Sequence, residues 1–464
     1  MWEMPPEEKE IKYCKNKTAR QVPPEPGGTF QSQSVMKSLS ELYTHNIRGH
    51  RITTDSRQIQ PGDIFIALKG ENFNGNQYAA EALKKGATLA VIDEPAYFCE
   101  GCELVPDTLE FLQQLARHHR RQLGIPILGI TGTNGKTTTK ELCQAVLSRK
   151  FRTVATQGNY NNHIGVPLTL LSMDETTEFG IVEMGANHPG EIRDLCEIAE
   201  PDFGIITNIG HAHLEGFGNY ENIIATKKAL YEYIFRKNGK VFVNAADPLL
   251  MRLSEGHDRA TYGAEGDLQK GEIKQTIPYL VYALKTLKGD LYIKTHLVGG
   301  YNFDNAMAAS ATGIFFGVEP LQIREALEEY RPSNLRSQLI RTEKNTVILD
   351  AYNANPSSMK VAVSNFCEMP GNHKILILGE MLELGQESLT AHQEILNLTQ
   401  QSRFDKIFLI GIHFEHCNDK CNFITWFKDT ETLMEELRCH PLTDSFIFIK
   451  GSRGNRLERI VEYL

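Results

Sequence analysis

The sequence has little of what stabilises secreted or membrane-embedded proteins. Its 464 residues include only nine cysteines, an odd number scattered along the chain, so reduced thiols are expected rather than a disulfide framework. No stretch approaches the roughly 20 consecutive apolar residues of a membrane-spanning helix. Residues 1–30 contain no apolar run typical of a secretory signal. These absences predict a cytoplasmic protein without a membrane span.

Positive charge is also scarce. The chain has 49 lysines and arginines against 58 aspartates and glutamates, for a formal net charge of −9. A nucleic-acid partner is therefore not expected, because little would neutralise the phosphates of a duplex. The single Cys-x-x-Cys motif, Cys99 to Cys102, has no second pair beside it, so a zinc site is not predicted.

Chain length and pattern predict three domains, because 464 residues exceed one ordinary core. Residues 1–35 are rich in Pro, Glu, Lys and Gln and lack periodicity, which predicts a disordered tail. A small α/β domain is expected at 36–123, a central domain at 124–330 and a C-terminal α/β domain at 331–464. In the central range apolar strands alternate with helical stretches, which predicts a parallel sheet covered on both faces, and a further β-rich stretch spans 260–298.

The segment GITGTNGKTTTKELC lies between an apolar run and a helical pattern. A loop in this place directs backbone N–H groups and a helix N-terminus at an anion. Gly132 and Gly135 permit a close approach to phosphate. Lys136 can reach the β- and γ-phosphates, and the Thr137 hydroxyl is a ligand for Mg²⁺. Although Ile130 stands where the strict pattern has glycine, Gly-Lys-Thr at a helix start predicts a nucleotide site rather than a plain turn.

Two further strand ends carry groups suited to a metal beside phosphates. Glu183 lies in the run IVEMGAN, and His211 and His213 follow the run IITNIG. In an open parallel sheet such positions gather outside the carboxyl ends of the strands. A lone loop histidine is usually structural, but a phosphate loop nearby favours a role for His213 at Mg²⁺, with Glu183 as an oxygen ligand.

Seven segments resemble the Mur ligases, the ATP-dependent ligases of peptidoglycan synthesis: TGTNGKTTTKE, GNYNNHIGVPLTLL, VEMGANHPGEI, TNIGHAHLEGFG, DAYNANPSSM, LGEMLELG and IKGSRG. They follow the family's order, and the similarity extends from about Met36 to the C-terminus. DAYNANPSSM and LGEMLELG are typical of the branch that adds D-alanyl-D-alanine. The resemblance implies an α/β protein with a UDP-binding first domain, a central P-loop ATPase domain with a parallel sheet, and a Rossmann-like C-terminal domain.

The implied reaction joins D-alanyl-D-alanine to UDP-N-acetylmuramoyl-tripeptide through an acyl phosphate and yields ADP and phosphate. The resemblance also implies ATP, a pair of Mg²⁺ ions and a monomer. It leaves the third peptide residue open between lysine and diaminopimelate. The alternatives are the neighbouring tripeptide-adding ligase, a P-loop kinase or NTPase, and a nucleotide-binding protein without turnover.

The resemblance carries the family's site residues onto this sequence. The implied ATP-binding residues are Gly132, Thr133, Asn134, Gly135, Lys136, Thr137, Thr138, Asn305, Arg336 and Asp350. The implied catalytic residues are Lys136, Glu183, His213, Lys227 and Arg336, and the implied metal ligands are Thr137, Glu183, His213 and Lys227. The implied substrate-binding residues are Ser56, Arg57, Asn159, Asn161, Asn162, Asn353 and Asn355. Among these, Asn305 is expected at the adenine, Asp350 at the ribose and Arg336 at a phosphate.

This sequence departs from the family pattern at three positions. Tyr301 stands where the family usually has histidine, Leu335 where it has glycine, and Asn76 where it often has histidine. We therefore expect an altered contact at Tyr301, an altered loop at Leu335 and no charged contact at Asn76.

Lys227 carries the most specific expectation. The segment NIIATKKALYEYIF predicts a helix with Ile223, Leu230 and Ile234 on its buried side. The pattern Lys-x-x-Leu-Tyr-Glu places Lys227, rather than Lys228, in the register of the family's carbamylated lysine. Carbamylation is expected because Mg²⁺ would repel an ammonium, whereas a carbamate supplies a negatively charged oxygen ligand.

Overall fold

The computed structural model describes residues 38–464, apart from residues 334, 401–402 and 418–420. The tail predicted at residues 1–35 lies outside this part of the chain. The described chain forms three main β-sheets, one within each predicted α/β range. The α/β fold class is thereby confirmed, while the exact domain boundaries stay a prediction. No described helix is both long and apolar enough to cross a membrane.

The first sheet is small and parallel. Its strands, in the order β1-β2-β5-β6, accompany a two-stranded antiparallel ribbon of β3 and β4. The bounds are β1 Ile52–Thr53, β2 Ile64–Ile66, β3 Lys69–Gly70, β4 Phe73–Asn74, β5 Leu89–Ile92, β6 Cys102–Leu104, α1 Leu39–Leu42, α2 Ala79–Lys84 and α3 Thr108–Leu123. Because neighbouring strand residues face opposite sides, Ile64 and Ile66 join one core cluster and Phe65 joins the other.

The central sheet has nine strands in the order β15-β14-β13-β12-β11-β10-β7-β9-β8. The strand bounds are β7 Ile127–Thr131, β8 Thr153–Ala155, β9 Phe179–Glu183, β10 Phe203–Ile206, β11 Lys240–Asn244, β12 Arg259–Gly263, β13 Gln269–Gln275, β14 Val281–Thr286 and β15 Gly289–Lys294. The helix bounds are α4 Lys136–Leu147, α5 Gly165–Leu171, α6 Glu191–Ala199, α7 Leu214–Phe217, α8 Tyr220–Arg236, α9 Pro248–Leu253, α10 Asn302–Phe315 and α11 Pro320–Glu329.

Helices cover both faces of the central sheet, as the alternation of strands and helices predicted. Leu128 and Ile130 of β7 belong to a core cluster shared with α4, α10 and α11. Ile127 belongs to the opposite cluster, which is shared with α5, α6 and α8. Neighbouring strands pair in parallel in the part of the sheet ordered β8-β9-β7-β10-β11-β12. Strand β14, in contrast, pairs antiparallel with both β13 and β15. The β-rich stretch predicted at 260–298 is this antiparallel extension and the strand that leads into it.

The third sheet is parallel except for its first strand. Its order is β16-β17-β21-β18-β19-β20, with β16 antiparallel to β17. The bounds are β16 Gln338–Arg341, β17 Thr346–Asp350, β18 Lys374–Gly379, β19 Lys406–Ile410, β20 Ile424–Phe427, β21 Phe446–Lys450, α12 Pro356–Glu368, α13 Ser388–Gln400, α14 Ile412–Glu415 and α15 Thr430–Cys439. Core clusters lie on both faces, which is the Rossmann-like arrangement expected for this range.

A buried arginine joins the first domain to the central sheet. Arg120 of α3 donates to the carbonyls of Ala199 and Glu200 at 3.3 and 3.0 Å, and to the Asp202 carboxylate at 2.7 Å. The same Asp202 oxygen accepts the backbone N–H of Ile127 at 2.9 Å. One charge pair therefore links α3, α6 and the start of β7.

We predict that Arg120→Ala destabilises the protein by roughly 1–3 kcal/mol, because it leaves two carbonyls and a half-buried carboxylate without their donor. Urea unfolding followed by circular dichroism measures the change. The matched control is Arg117→Ala on the same helix, which makes no ion pair among the described residues. Equal midpoints for the two variants would show that the link carries no stability.

Candidate active site

A cavity of about 1320 Å³ opens where the central and C-terminal domains meet. It lies at the carboxyl ends of β7, β9 and β10, where ligands bind to open parallel sheets. Most of the residues predicted from the sequence line it, namely Thr133, Asn134, Gly135, Lys136, Thr137, Thr138, Asn159, Asn161, Asn162, Glu183, His213, Asn305, Arg336, Asp350, Asn353 and Asn355. Gly132, Lys227, Ser56 and Arg57 are not part of its lining.

The phosphate loop requires both of its glycines. Gly132 has a φ of +148°, and a Cβ there would lie 1.9 Å from the Thr207 hydroxyl oxygen. Gly135 has a φ of +81° at the start of α4, and a Cβ there would lie 2.5 Å from the Asn305 side-chain oxygen. A side chain at either position is therefore excluded by both backbone conformation and space. The loop reaches helix α4 at Lys136, as predicted.

Lys136 is half-buried, and no carboxylate of the described residues lies at hydrogen-bond distance from its ammonium. Its Nζ donates to the backbone carbonyls of Gly132 and Thr133 at 2.8 and 3.2 Å. Burial lowers the pKa of this ammonium, Glu183 opposes the shift, and the guanidinium of Arg336 adds to it. Two cations from different domains thus face the same space, which favours an anion between them.

Glu183 has one carboxylate oxygen available to a cation. Its Oε1 accepts from the Asn161 side-chain amide at 2.8 Å, and its backbone N–H donates to the Thr156 hydroxyl at 3.0 Å. The other oxygen, Oε2, is buried and has no hydrogen-bond partner within the described part of the chain. An unpaired buried carboxylate oxygen is costly, so the position fits an oxygen-preferring ion such as Mg²⁺.

Lys227 lies beneath the phosphate loop rather than in the cavity wall. It is 4% exposed, and its Nζ donates to the Gly132 carbonyl at 3.1 Å. Burial, with Lys136 adding to it, lowers the pKa of Lys227 well below its ordinary value, so the neutral amine is favoured. Lys228, by contrast, is half-buried and pairs with Glu232 at 2.9 Å.

His213 faces the cavity, and His211 does not. The Nδ1 of His213 lies 2.5 Å from the carboxylate of Glu383, which belongs to the C-terminal domain. Burial lowers the pKa of His213, and nearby Lys136 and Lys227 add to this effect while Glu383 opposes it. The ring of His211 instead stacks on Tyr220 with centroids 4.4 Å apart.

Arg336 is held in place by aromatic residues from both domains. Its guanidinium lies 3.9 Å from the centroid of the Tyr352 ring, and its buried Nε has no hydrogen-bond partner among the residues that the structure describes. Its neighbours Leu335 and Ser337 have φ values of +60° and +47°. Leu335 therefore adopts the conformation that favours the glycine expected there. The Tyr301 hydroxyl fixes the turn through a 2.6 Å hydrogen bond to the Ser337 hydroxyl.

The remaining predicted residues of the C-terminal domain face the phosphate loop and its surroundings. The side-chain amide of Asn355 donates to the Asn134 side-chain oxygen at 2.9 Å, and Asn134 donates to the Ser357 hydroxyl at 3.1 Å. Asp350 accepts from the Lys450 ammonium at 2.7 Å. In this structure Asn355 thus connects the C-terminal domain directly to the phosphate loop.

Comparison with known proteins supports the same arrangement. Residues 48–120, 130–313 and 335–453 match, in order, the Mur ligase family, catalytic domain; the Mur ligase middle domain; and the Mur ligase, glutamate ligase domain. The UDP-N-acetylmuramoyl-tripeptide--D-alanyl-D-alanine ligase of Bacillus subtilis (strain 168) is 35% identical over 433 residues, which cover 89% of this chain and 93% of the relative. This chain belongs to the Mur ligase family.

Solved structures extend the similarity to the fold of this Mur ligase. MurF from Acinetobacter baumannii has a TM-score of 0.80 at 30% identity, covering 89% of this chain and 92% of that chain. MurF ligase from Thermotoga maritima, solved in complex with ADP, has a TM-score of 0.78 at 27% identity, covering 89% of this chain and 96% of that chain.

The residues predicted to bind UDP lie apart from the cavity of the Mur ligase. Arg57 is mostly exposed and pairs with Asp55 at 2.8 Å, and the Ser56 carbonyl accepts from Lys85 at 3.0 Å. Asn76 is fully buried and exchanges two hydrogen bonds with Asp93, of 2.8 and 2.9 Å. The departure at Asn76 therefore has a structural role: it joins the turn before α2 to the end of β5.

Several residues of the Mur ligase site were not predicted. Asn208 and Thr207, just after β10, hold the Asn134 backbone: the Asn208 side chain accepts its N–H at 3.0 Å, and the Thr207 hydroxyl donates to its carbonyl at 2.6 Å. Both residues directly follow an apolar strand, as Glu183 nearly does, and this position could have predicted that they lie beside the phosphate loop. Tyr352 and Glu383 lie within DAYNANPSSM and LGEMLELG, but neither segment indicates that they contact Arg336 and His213.

A buried histidine ties the C-terminal domain of the Mur ligase together. His392 is 0% exposed, its Nδ1–H donates to the Ser388 carbonyl at 2.7 Å, and its Nε2 accepts the Met381 N–H at 2.9 Å. Burial lowers the pKa of His392 to about 4; the bond to Ser388 opposes the shift, and nearby His413 adds to it. The folded domain therefore holds a neutral ring at neutral pH.

We predict that the C-terminal domain loses stability as pH falls from about 6.5 to about 4. In this window the unfolded chain binds a proton on His392 and the folded domain does not, so the loss reaches roughly 3 kcal/mol at the acidic end. Trp426, in β20, reports unfolding by fluorescence in a Trp2→Phe background. His392→Gln should be less stable at neutral pH but should show a shallower slope with pH, and equal slopes would contradict the assignment.

Proposed function

We propose that this Mur ligase is an ATP-dependent ligase that joins D-alanyl-D-alanine to UDP-N-acetylmuramoyl-tripeptide. The observation that carries the proposal is one cavity with a phosphate loop, a carboxylate with a free oxygen, and an arginine from the C-terminal domain. Relatives that carry this activity as their name match almost their whole length, including the enzyme of Escherichia coli (strain K12) at 31% identity and 95% coverage.

ATP is the nucleotide that the phosphate loop best accommodates. The backbone N–H groups of the loop and the start of α4 favour phosphate oxygens, and Lys136 supplies a desolvated positive charge beside them. We assign Asn305 to the adenine side and Asp350 to the ribose side. Support comes from their places in the cavity lining and from the Thermotoga maritima relative, whose structure was solved in complex with ADP.

Glu183, His213 and the Thr137 hydroxyl, with a carbamate on Lys227, would hold a pair of Mg²⁺ ions. The buried Oε2 of Glu183, which has no hydrogen-bond partner among the described residues, suits the role of a Mg²⁺ ligand. Among the described residues, no three His, Cys, Asp or Glu side chains come together as a metal site, so a carbamate would add an oxygen ligand that the unmodified side chains lack. Bound Mg²⁺ neutralises the negative charge of the phosphates.

The carbamate itself is chemically accessible at Lys227. Carbamylation needs a neutral amine, whose nitrogen forms a bond to the carbon of CO₂ and loses a proton. Burial and the charge of Lys136 favour the neutral form of Lys227. Lys228 lacks this environment because it pairs with Glu232.

The chemistry follows from the charges around the cavity. A terminal carboxylate oxygen of the tripeptide forms a bond to the γ-phosphorus of ATP as the bond to ADP breaks, giving an acyl phosphate. The amine of D-alanyl-D-alanine then attacks the acyl carbon, loses a proton and displaces phosphate. Lys136 and Arg336, from different domains, stabilise the negative charge that the transferring phosphoryl group carries.

The substrates would enter from different domains. We assign the UDP group to Ser56 and Arg57, the muramyl peptide to Asn159, Asn161 and Asn162, and the dipeptide to Asn353 and Asn355. Because Ser56 and Arg57 stand outside the cavity lining, we propose that the first domain closes towards it on binding, which also excludes water from the acyl phosphate. A cytoplasmic location and a monomeric state stay predictions.

One assay tests the proposed function. The purified chain is incubated with ATP, Mg²⁺, UDP-N-acetylmuramoyl-tripeptide and D-alanyl-D-alanine, and phosphate release is followed. We expect release that requires both the tripeptide and the dipeptide, with lysine- and diaminopimelate-containing tripeptides compared in parallel. Release without the dipeptide would indicate an NTPase, and phosphate transferred to a stable product would indicate a kinase.

We predict that Lys227→Ala abolishes ligation while ATP still binds, because the carbamate would itself be an oxygen ligand of the metal pair. Lys228→Ala, its neighbour on the exposed side, should be mild. Steady-state kinetics and nucleotide titration measure the two effects. Equal activity of the two variants would contradict the assignment of Lys227 as a carbamylated metal ligand. An unmodified Lys227 ammonium in a metal-loaded, active crystal would contradict it as well.

A further inference from the structure

The segment LGEMLELG brings a carboxylate from the C-terminal domain to the candidate metal site. The segment begins in the last two residues of β18, and the carboxylate Oε2 of its Glu383 lies 2.5 Å from the Nδ1 of His213 in the central domain. Glu383 has a φ of +65°, so its backbone adopts a conformation that non-glycine residues rarely occupy. The contact between His213 and Glu383 therefore joins two domains at a residue with a strained backbone.

The backbone around Glu383 is fixed from several sides. The Met381 N–H donates to the His392 ring at 2.9 Å, and the Leu382 N–H donates to the Ser452 hydroxyl at 3.0 Å. The Asn455 side chain donates to the Glu380 carbonyl at 2.9 Å. Buried Met381 and Leu384 belong to the core of the C-terminal domain. Side chains from α13 and from the loop after β21 therefore hold this segment, and Glu383 extends from a rigid support.

The contact determines the tautomer of His213. An ionised carboxylate can only accept a hydrogen bond, so the Nδ1 of His213 must carry the proton. The Nε2 lone pair is then free for a cation, which is the arrangement that metal-binding histidines obtain from an outer carboxylate or carbonyl. The stability of the protein gains little from this contact, because Glu383 is 61% exposed and exposed ion pairs contribute little.

We propose that Glu383 is a positioning residue that orients His213 and fixes its tautomer for metal binding. The inference rests on the proposed function, which assigns His213 to the metal pair. Because Glu383 and His213 lie on different domains, this contact forms only when the domains are together. Approach of the C-terminal domain thus completes the metal site at the same time as it brings Arg336 to the phosphate loop.

The test compares Glu383→Ala and Glu383→Gln with the control Glu387→Gln. Glu387 is exposed and lies in the helical turn Gly385–Glu387, directly after Glu383 and Leu384. The first readout is Mn²⁺ binding in the presence of ADP, followed by electron paramagnetic resonance. We expect Glu383→Ala to weaken Mn²⁺ about 10- to 100-fold, the range typical of such outer residues, Glu383→Gln to weaken it less, and Glu387→Gln to leave it unchanged.

The second readout is kinetic. For Glu383→Ala we expect a higher Mg²⁺ concentration at half-maximal ligation, while the thermal unfolding midpoint stays that of the wild type. Unchanged Mn²⁺ affinity and unchanged Mg²⁺ dependence in both Glu383 variants would overturn the proposal. If Glu383→Ala unfolds, the isosteric Glu383→Gln decides. The Mn²⁺ titration needs no turnover, so its result stands apart from whether the wild type ligates the proposed substrates.

Discussion

The site is organised by three basic side chains, Lys136, Lys227 and Arg336, which have no carboxylate at ion-pair distance among the described residues. Lys136 and Lys227 both lie against the Gly132 carbonyl, and Arg336 is close enough to lower the pKa of Lys136. Glu183 is the nearby carboxylate that opposes this shift. Desolvated positive charge is costly unless paired, so the cavity lined by Lys136 and Arg336 favours a polyanion. The triphosphate of ATP would supply that charge, and carbamylation would give the neutral Lys227 amine a negative charge.

The C-terminal domain completes the site at several points. Tyr301 contacts Ser337, Asn134 contacts Ser357, and His213 contacts Glu383. Each contact pairs the central domain with the C-terminal domain beside a residue assigned to ATP or metal. On the proposed assignments, binding of ATP would therefore be coupled to assembly of the two domains, because neighbouring side chains serve both.

Local features of the site could be predicted from the sequence, and long-range features could not. The phosphate loop and the start of α4 at Lys136 follow from a short motif whose glycines have steric reasons. The burial of Lys227 follows from its helical register. In contrast, β8 and β20 are too short to show a pattern, with three and four residues. The pairings of Tyr352 with Arg336 and of Glu383 with His213 depend on tertiary packing that no local pattern records.

The most direct test of the proposed acyl-phosphate mechanism traces one oxygen atom of the tripeptide carboxylate. The tripeptide is labelled with ¹⁸O in its terminal carboxylate, and the phosphate released during ligation is analysed by mass spectrometry. We expect each released phosphate to carry one oxygen from that carboxylate, because the acyl C–O bond breaks when the amine displaces phosphate. Ligation with unlabelled phosphate would contradict an acyl phosphate formed in this cavity.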